Sequence, residues 1–174
     1  MRKHISFCRV WLGILVIGMA AIELSAAVHD QDEVSGHIVA RGGGTTIIQG
    51  GSGAPQFLPV ITTIAFHAEK VGGTVSGDFE CLAVAPPSPN GPGSGQFTVN
   101  VMYVTATITG AQARGNLATL TGSATITGIA AGSNVPFTLV VRKGGPGATA
   151  VLTAGGLEFR EILVEGSFEV SSNN

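Results

Sequence analysis

Charge is what this chain has least of. Lys, Arg, Asp and Glu make up 11% of it, less than half their share in an ordinary soluble domain. No basic run of the kind a phosphate backbone requires is present, which excludes nucleic acid as a partner. Only two cysteines occur, Cys8 and Cys81, and Trp11 and Tyr103 are the sole residues of their types. Neither G-x-G-x-x-G nor G-x-x-x-x-G-K-[ST] occurs despite 26 glycines, so the phosphate cradle of a nucleotide site is missing and no cofactor is implied. Gly50-Gly51-Ser52-Gly53-Ala54 approaches the G-x-S-x-G nucleophile elbow but fails at its last position. Helical spacing of apolar residues over three turns is absent beyond residue 27, which excludes parallel α/β folds.

What is present begins with an export pattern. Arg2, Lys3 and Arg9 precede an apolar run of 13 residues, Val10 to Ile22, which Glu23 closes before the small residues Ser25-Ala26-Ala27. Basic, apolar and small segments in that order are a secretory signal, and the run is about two thirds of the roughly 20 residues a membrane-spanning helix needs. Cleavage is expected between Ala27 and Val28, so residues 1–27 are a signal peptide and 28–174 a single domain, secreted or otherwise extracytoplasmic, with no transmembrane segment in the mature chain. Cutting there leaves 147 residues with a formal net charge of minus four, enough for one hydrophobic core. Cys81 would then stand alone, without a disulfide partner, and is expected as a small buried apolar side chain.

Threonine, valine and glycine are abundant, and two-residue alternation recurs between glycine clusters. Strands are expected at 34–41, 45–49, 60–70, 74–84, 97–109, 117–127, 135–143, 148–153 and 157–170, the last broken near Arg160. Gly42-Gly43-Gly44 and Gly72-Gly73 read as turns, and 85–96, with four prolines and three glycines, as the longest loop. The apolar set changes phase between Tyr103 and Val104, between Cys81 and Leu82, and between Phe159 and Ile162. Such slips mark β-bulges, and three of them imply a strongly curved or closed sheet. TATITG at 105–110 and SATITG at 123–128 recur 18 residues apart; two copies are too few for a solenoid and fit successive strands of a hairpin. The expected fold is all-β, an antiparallel β-sandwich or flattened β-barrel of about eight to nine strands.

The segments GNLATLTGSATITG, VPFTLVVRKGGPGATAVL and EILVEGSFEV, with VSGHIVARGGG and VSGDFECLAV upstream, resemble Gly-rich and Thr-rich secreted bacterial β domains of the post-COAP type. The Asp that often follows the GGPG turn in those domains is missing at 148–150. The resemblance implies an extracytoplasmic β domain and carries over no catalytic residue.

Candidate chemistry is sparse. His67-Ala68-Glu69 matches half of a zinc deaminase signature, whose other half needs two cysteines. His37, His67 and Glu69 would form a metal site if their strands pair, since His67 and Glu69 share a face; a solvated sheet face has the same pattern, and no ligand spacing favours the metal. Asp78 and Glu80, about 7 Å apart along one strand face, have a separation compatible with glycosidase carboxylates, and alternating surface acids look identical. His29, Asp30, Asp32 and Glu33 cluster beside the expected mature N-terminus. The reading that follows is a non-enzymatic structural or adhesive binding module in contact with a cell surface or glycan. The alternative is a carrier of a small apolar ligand, with Phe66, Phe79, Phe97 and Tyr103 lining a barrel cavity. A hydrolase comes third.

Overall fold

The computed structural model describes residues 36–54, 59–88 and 95–173, all within one compact unit spanning 33–174. The segment expected as a signal peptide, the expected cleavage site and the polar cluster at 29–33 lie outside the described residues. Eight antiparallel strands follow one another around a closed barrel: β1 (His37–Gly50), β2 (Ile61–Val71), β3 (Thr74–Ala85), β4 (Val99–Arg114), β5 (Leu117–Gly128), β6 (Gly132–Arg142), β7 (Thr149–Ala154) and β8 (Leu157–Asn173). Each pairs with its neighbour in sequence, and β8 returns to pair with β1 from His37↔Asn173 to Gly50↔Arg160. Closure removes the open edges that a free sheet of this kind would expose to self-association. Among the described residues no helix is long and apolar enough to cross a membrane.

Alternation decides which side of each strand faces inward. On β2 the inward set is Thr62, Ile64, Phe66 and Ala68, and on β3 Phe79, Cys81, Ala83 and Ala85, all buried. An eight-stranded barrel has an interior just wide enough for side chains to fill. Here small and large residues share it: alanines such as Ala40, Ala68, Ala118 and Ala150 stand beside Phe66, Phe79, Phe137, Phe159 and Phe168. Two ring pairs cross between strands, Phe66 with Phe168 at 5.6 Å and 56°, and Phe79 with Phe137 at 5.6 Å and 14°. Both arrangements suit the quadrupoles of the rings.

The TATITG and SATITG segments are neighbouring strands, paired Thr105↔Thr125 and Ala106↔Ala124. Gly72-Gly73 makes the expected hairpin turn with φ of 55° and 88°, as Gly155-Gly156 does with 59° and 78°. Two successive residues at positive φ match the twist of the flanking strands, which is why glycine occupies both positions.

Other expectations need correction. Gly42-Gly43-Gly44 is not a turn; it lies inside β1, which joins the two short strands expected at 34–41 and 45–49. These glycines serve close approach: a Cβ on Gly42 would meet the Ser167 carbonyl oxygen at 2.3 Å, one on Gly43 that of Ile64 at 2.8 Å, and one on Gly44 that of Glu165 at 1.9 Å. β8 continues unbroken through Arg160. The phase slips also lie elsewhere. On β4 the buried set runs Met102, Val104, Ile108 and changes phase before Ala111, with a register shift against β5 between Ile108 and Gly110. On β8 it runs Phe159, Glu161, Leu163 and resumes at Phe168, with the shift against β1 at Thr45/Thr46. No change occurs between Cys81 and Leu82, whose side chains lie on opposite faces.

The misplaced slips share a cause. Leu82, Tyr103 and Ile162 point outward, so that both faces are apolar locally and hydrophobicity cannot tell them apart. Ile162, Ile47, Ile61 and Val84 stand in one outward row across β8, β1, β2 and β3 through the pairs Ile47↔Ile162, Ile47↔Ile61 and Ile61↔Val84. Cross-strand pairs of β-branched residues support one another even on an exposed face.

Candidate functional site

Charge is distributed unevenly around the barrel. Apart from the buried Glu161, β8, β1, β2 and β3 carry Arg41, Glu69, Lys70, Asp78, Glu80, Glu158, Arg160, Glu165 and Glu169, whereas β4 to β7 carry only Arg114 and Arg142, each at a strand end. The barrel therefore has one charged wall and one neutral wall.

The histidine candidates lie on the charged wall. His37 Nε2 is 2.8 Å from Glu69 Oε1, with both side chains a little over 40% exposed. His67 is two residues from Glu69 on the same outward face, paired across the ladder with Arg41 and Asp78. The strands pair as the metal reading requires, yet only two of its three groups meet. Among the described residues no group of three His, Cys, Asp or Glu side chains is placed to hold a metal ion. Exposed pairs of this type, including Arg41 with Glu169 at 2.7 Å, each contribute about 0 to 1 kcal/mol.

Asp78 and Glu80 are both exposed on the outer face of β3. The Tyr103 hydroxyl donates to Glu80 Oε1. That bond holds the phenol above its ordinary pKa, since losing the proton would set two negative charges together. Tyr103 thus belongs to the outer wall, and Phe97, itself half-buried, lies in the exposed loop that precedes β4. Of the four cavity candidates only Phe66 and Phe79 face the interior, where each ring packs against another phenylalanine. Ser52, the would-be elbow serine, accepts the backbone N–H of Glu158 at 2.9 Å and so ties the end of β1 to β8.

The polar group that alternation did not reveal is inside. Thr46 on β1, Thr62 on β2 and Glu161 on β8 are 0%, 1% and 4% exposed, and besides Cys81 they are the buried polar side chains among the described residues. The three oxygens are mutual neighbours: Thr46 Oγ1 and Thr62 Oγ1 contact each other and each contacts Glu161 Oε2, the Thr62 bond at 2.5 Å. Burial pushes the Glu161 carboxyl above the ordinary value of 4.5, opposed by the two threonine hydroxyls. Cys81, also inward on β3, is as buried as expected; desolvation first, and then the nearby Glu161 carboxyl, push its thiol well above its ordinary value. A thiol so placed is a poor nucleophile. Reading Glu161 as inward would have required accepting a charge-bearing residue at a core position, which the apolar pattern around it forbids.

No protein-family model matches the chain, and neither a curated protein nor a solved structure matches it.

The neutral wall is the other feature of note. Thr105 and Thr107 on β4 pair with Thr125 and Ser123 on β5, presenting a ladder of outward hydroxyls. A shallow depression of about 330 Å³ lies over them, lined also by Ala106, Ala124 and Asn134. Along a strand such hydroxyls repeat every ~7 Å, and across strands every ~5 Å.

Proposed function

We propose that the protein is an exported, non-enzymatic binding or structural module that works through the outside of its barrel, with the neutral wall of β4 to β7 meeting an uncharged, hydroxyl-rich partner such as a glycan. The observation that carries this reading is the uncharged threonine and serine ladder on β4 and β5 beside an interior occupied by the protein's own side chains. Hydroxyls donate and accept, and their methyl groups offer apolar contact, so such a surface matches a sugar without the desolvation cost of charge. The secretory pattern at residues 1–27 supports an extracytoplasmic setting, where glycans are displayed.

Binding of the mature protein to immobilised neutral polysaccharides, compared with a Thr107→Glu, Thr125→Glu variant, tests the reading. Retention of the wild type that is insensitive to salt and reduced at least tenfold in the variant is expected. Retention that survives both substitutions, or none on any neutral glycan, refutes it. Circular dichroism of the variant checks that the barrel is intact; both sites are exposed, and surface changes usually stay within ±0.5 kcal/mol.

A further inference from the structure

Glu161, Thr46 and Thr62 bridge the place where the barrel closes. Glu161 belongs to the last strand and Thr46 to the first, the pair whose ladder shuts the sheet, while Thr62 stands opposite Thr46 on β2. Three oxygens, Thr46 Oγ1, Thr62 Oγ1 and Glu161 Oε2, make three contacts among themselves. Each contact needs one proton between its two oxygens, and each hydroxyl supplies one. With Glu161 ionised, both threonine protons go to the carboxylate, and the Thr46–Thr62 contact sets two lone pairs against each other. With Glu161 protonated there are three protons for three contacts. Each oxygen then donates once and accepts once, and the ring is complete.

The surroundings point the same way. No Lys, Arg or His side chain is buried among the described residues, so no cation compensates a carboxylate at this position. None of the other charged or titratable groups on these three strands is buried: Arg41 pairs with Glu169, Arg160 with Glu158 and His37 with Glu69, while His67 and Glu165 are exposed and Lys70 is half-buried at the far end of β2. Of the titratable groups facing the interior, Cys81 on β3 is the other one, and as a neutral thiol it offers no charge. A lone buried carboxylate is costly, whereas a hydrogen-bonded neutral acid is not.

We propose that Glu161 is a neutral carboxylic acid in the folded protein, its proton completing a three-oxygen ring with Thr46 and Thr62 that latches β8 to β1 and β2, so that closing the barrel is a proton-binding event. The sign follows from linkage. The unfolded chain releases this proton near the ordinary glutamate value of 4.5, while the folded chain keeps it to higher pH. The folded state then binds more protons, so its stability is greatest below that value and falls as pH rises toward the folded-state pKa. The device favours a closed barrel in acid and loosens the seam as pH rises above the ordinary glutamate value.

Carboxyl ¹³C NMR of the folded protein, titrated from acid to mildly alkaline pH, reads the proton directly. Glu161 is expected to keep its protonated signal to a pH above the ordinary glutamate value of 4.5; loss of that signal at or below this value overturns the proposal. Urea unfolding across the same range gives the second reading. The wild-type folding constant should fall by up to about tenfold per pH unit within the window, and Glu161→Gln, a neutral isostere, should remove that fall. Equal slopes in the two proteins also overturn it. Should Glu161→Gln fail to fold, the wild-type titration alone decides.

Discussion

Truncating Phe79 to alanine tests whether the barrel interior is solid. The ring is 2% exposed and stacks on Phe137 with centroids 5.6 Å apart and planes 14° from parallel. Its strand neighbours are Phe66 on β2 and Ala106 on β4, so the wall around it comprises one large ring and one methyl group. A phenylalanine of this kind buries about 150 to 200 Å², which at ~25 cal/mol per Å² amounts to about 4 to 5 kcal/mol. Alanine retains part of that area, while the space left behind adds a penalty because closed ladders on both sides prevent collapse. Together these give about 3 to 5 kcal/mol, the range of buried Phe→Ala changes elsewhere. Spread over a urea dependence of about 2 kcal/mol per molar, the midpoint should fall by roughly 2 M. Equilibrium urea unfolding followed by circular dichroism measures it. A loss below about 1 kcal/mol would refute the packing argument, because a ring lining open space has few contacts to lose. It would also revive the ligand carrier. Phe79→Ala combined with Phe137→Ala should show a coupling of about 0.5 to 1.5 kcal/mol from the stacked pair.

Two further outcomes follow from the same geometry. Gly44→Val sets a side chain against the Glu165 carbonyl oxygen, which a Cβ would already meet at 1.9 Å; the seam between β1 and β8 must open, and the loss of stability should exceed the roughly 1 kcal/mol of an average substitution, measured as the drop in thermal midpoint against the wild type. Cys81 should resist thiol reagents in the folded protein and react at an ordinary rate once urea unfolds it, since burial and the neighbouring carboxyl oppose the thiolate; rapid labelling of the native protein would contradict its placement.

Much of this architecture is legible from residues alone, and the reasons it stops being legible are specific. The inward faces of β2 from Thr62 to Ala68 and of β3 up to Cys81 follow from simple alternation because most of the outward positions there are polar, as Thr63, His67, Ser76 and Asp78 are. The hairpins at Gly72-Gly73 and Gly155-Gly156 follow from glycine's tolerance of positive φ. Gly42-Gly43-Gly44 misleads because glycine serves two ends, turning a chain and letting two backbones approach, and only the position of β8 distinguishes them. The neutral wall was visible as composition but not as a wall, since its continuity depends on which strands neighbour which. Whether the strand of His37 pairs with that of His67 and Glu69 is not legible in the residues, and it is the stagger of the pairing that brings His37 rather than His67 to Glu69.

Glu161 explains why apolarity alone mispredicts the phase of β8. An apolar rule applied to FREILVEG makes Ile162 the inward residue and demands a slip after Phe159. The strand instead keeps strict alternation from Phe159 to Leu163, burying Glu161 between them and leaving Ile162 outside against Ile47. That choice is stable only if the carboxyl carries no net charge and meets its hydrogen-bonding needs inside, and Thr46 and Thr62 stand where they can do so. Replacing all three by apolar residues of similar size, Thr46→Val, Thr62→Val and Glu161→Met, would leave an interior with no polar group to satisfy. Such replacements are often neutral or stabilising, so the triple variant should be at least as stable as the wild type and lose its pH dependence, whereas Glu161→Met alone leaves two buried hydroxyls to pair with each other. A triple variant several kcal/mol weaker than the wild type would mean that the ring contributes packing or registry between β8 and β1 that apolar side chains cannot replace.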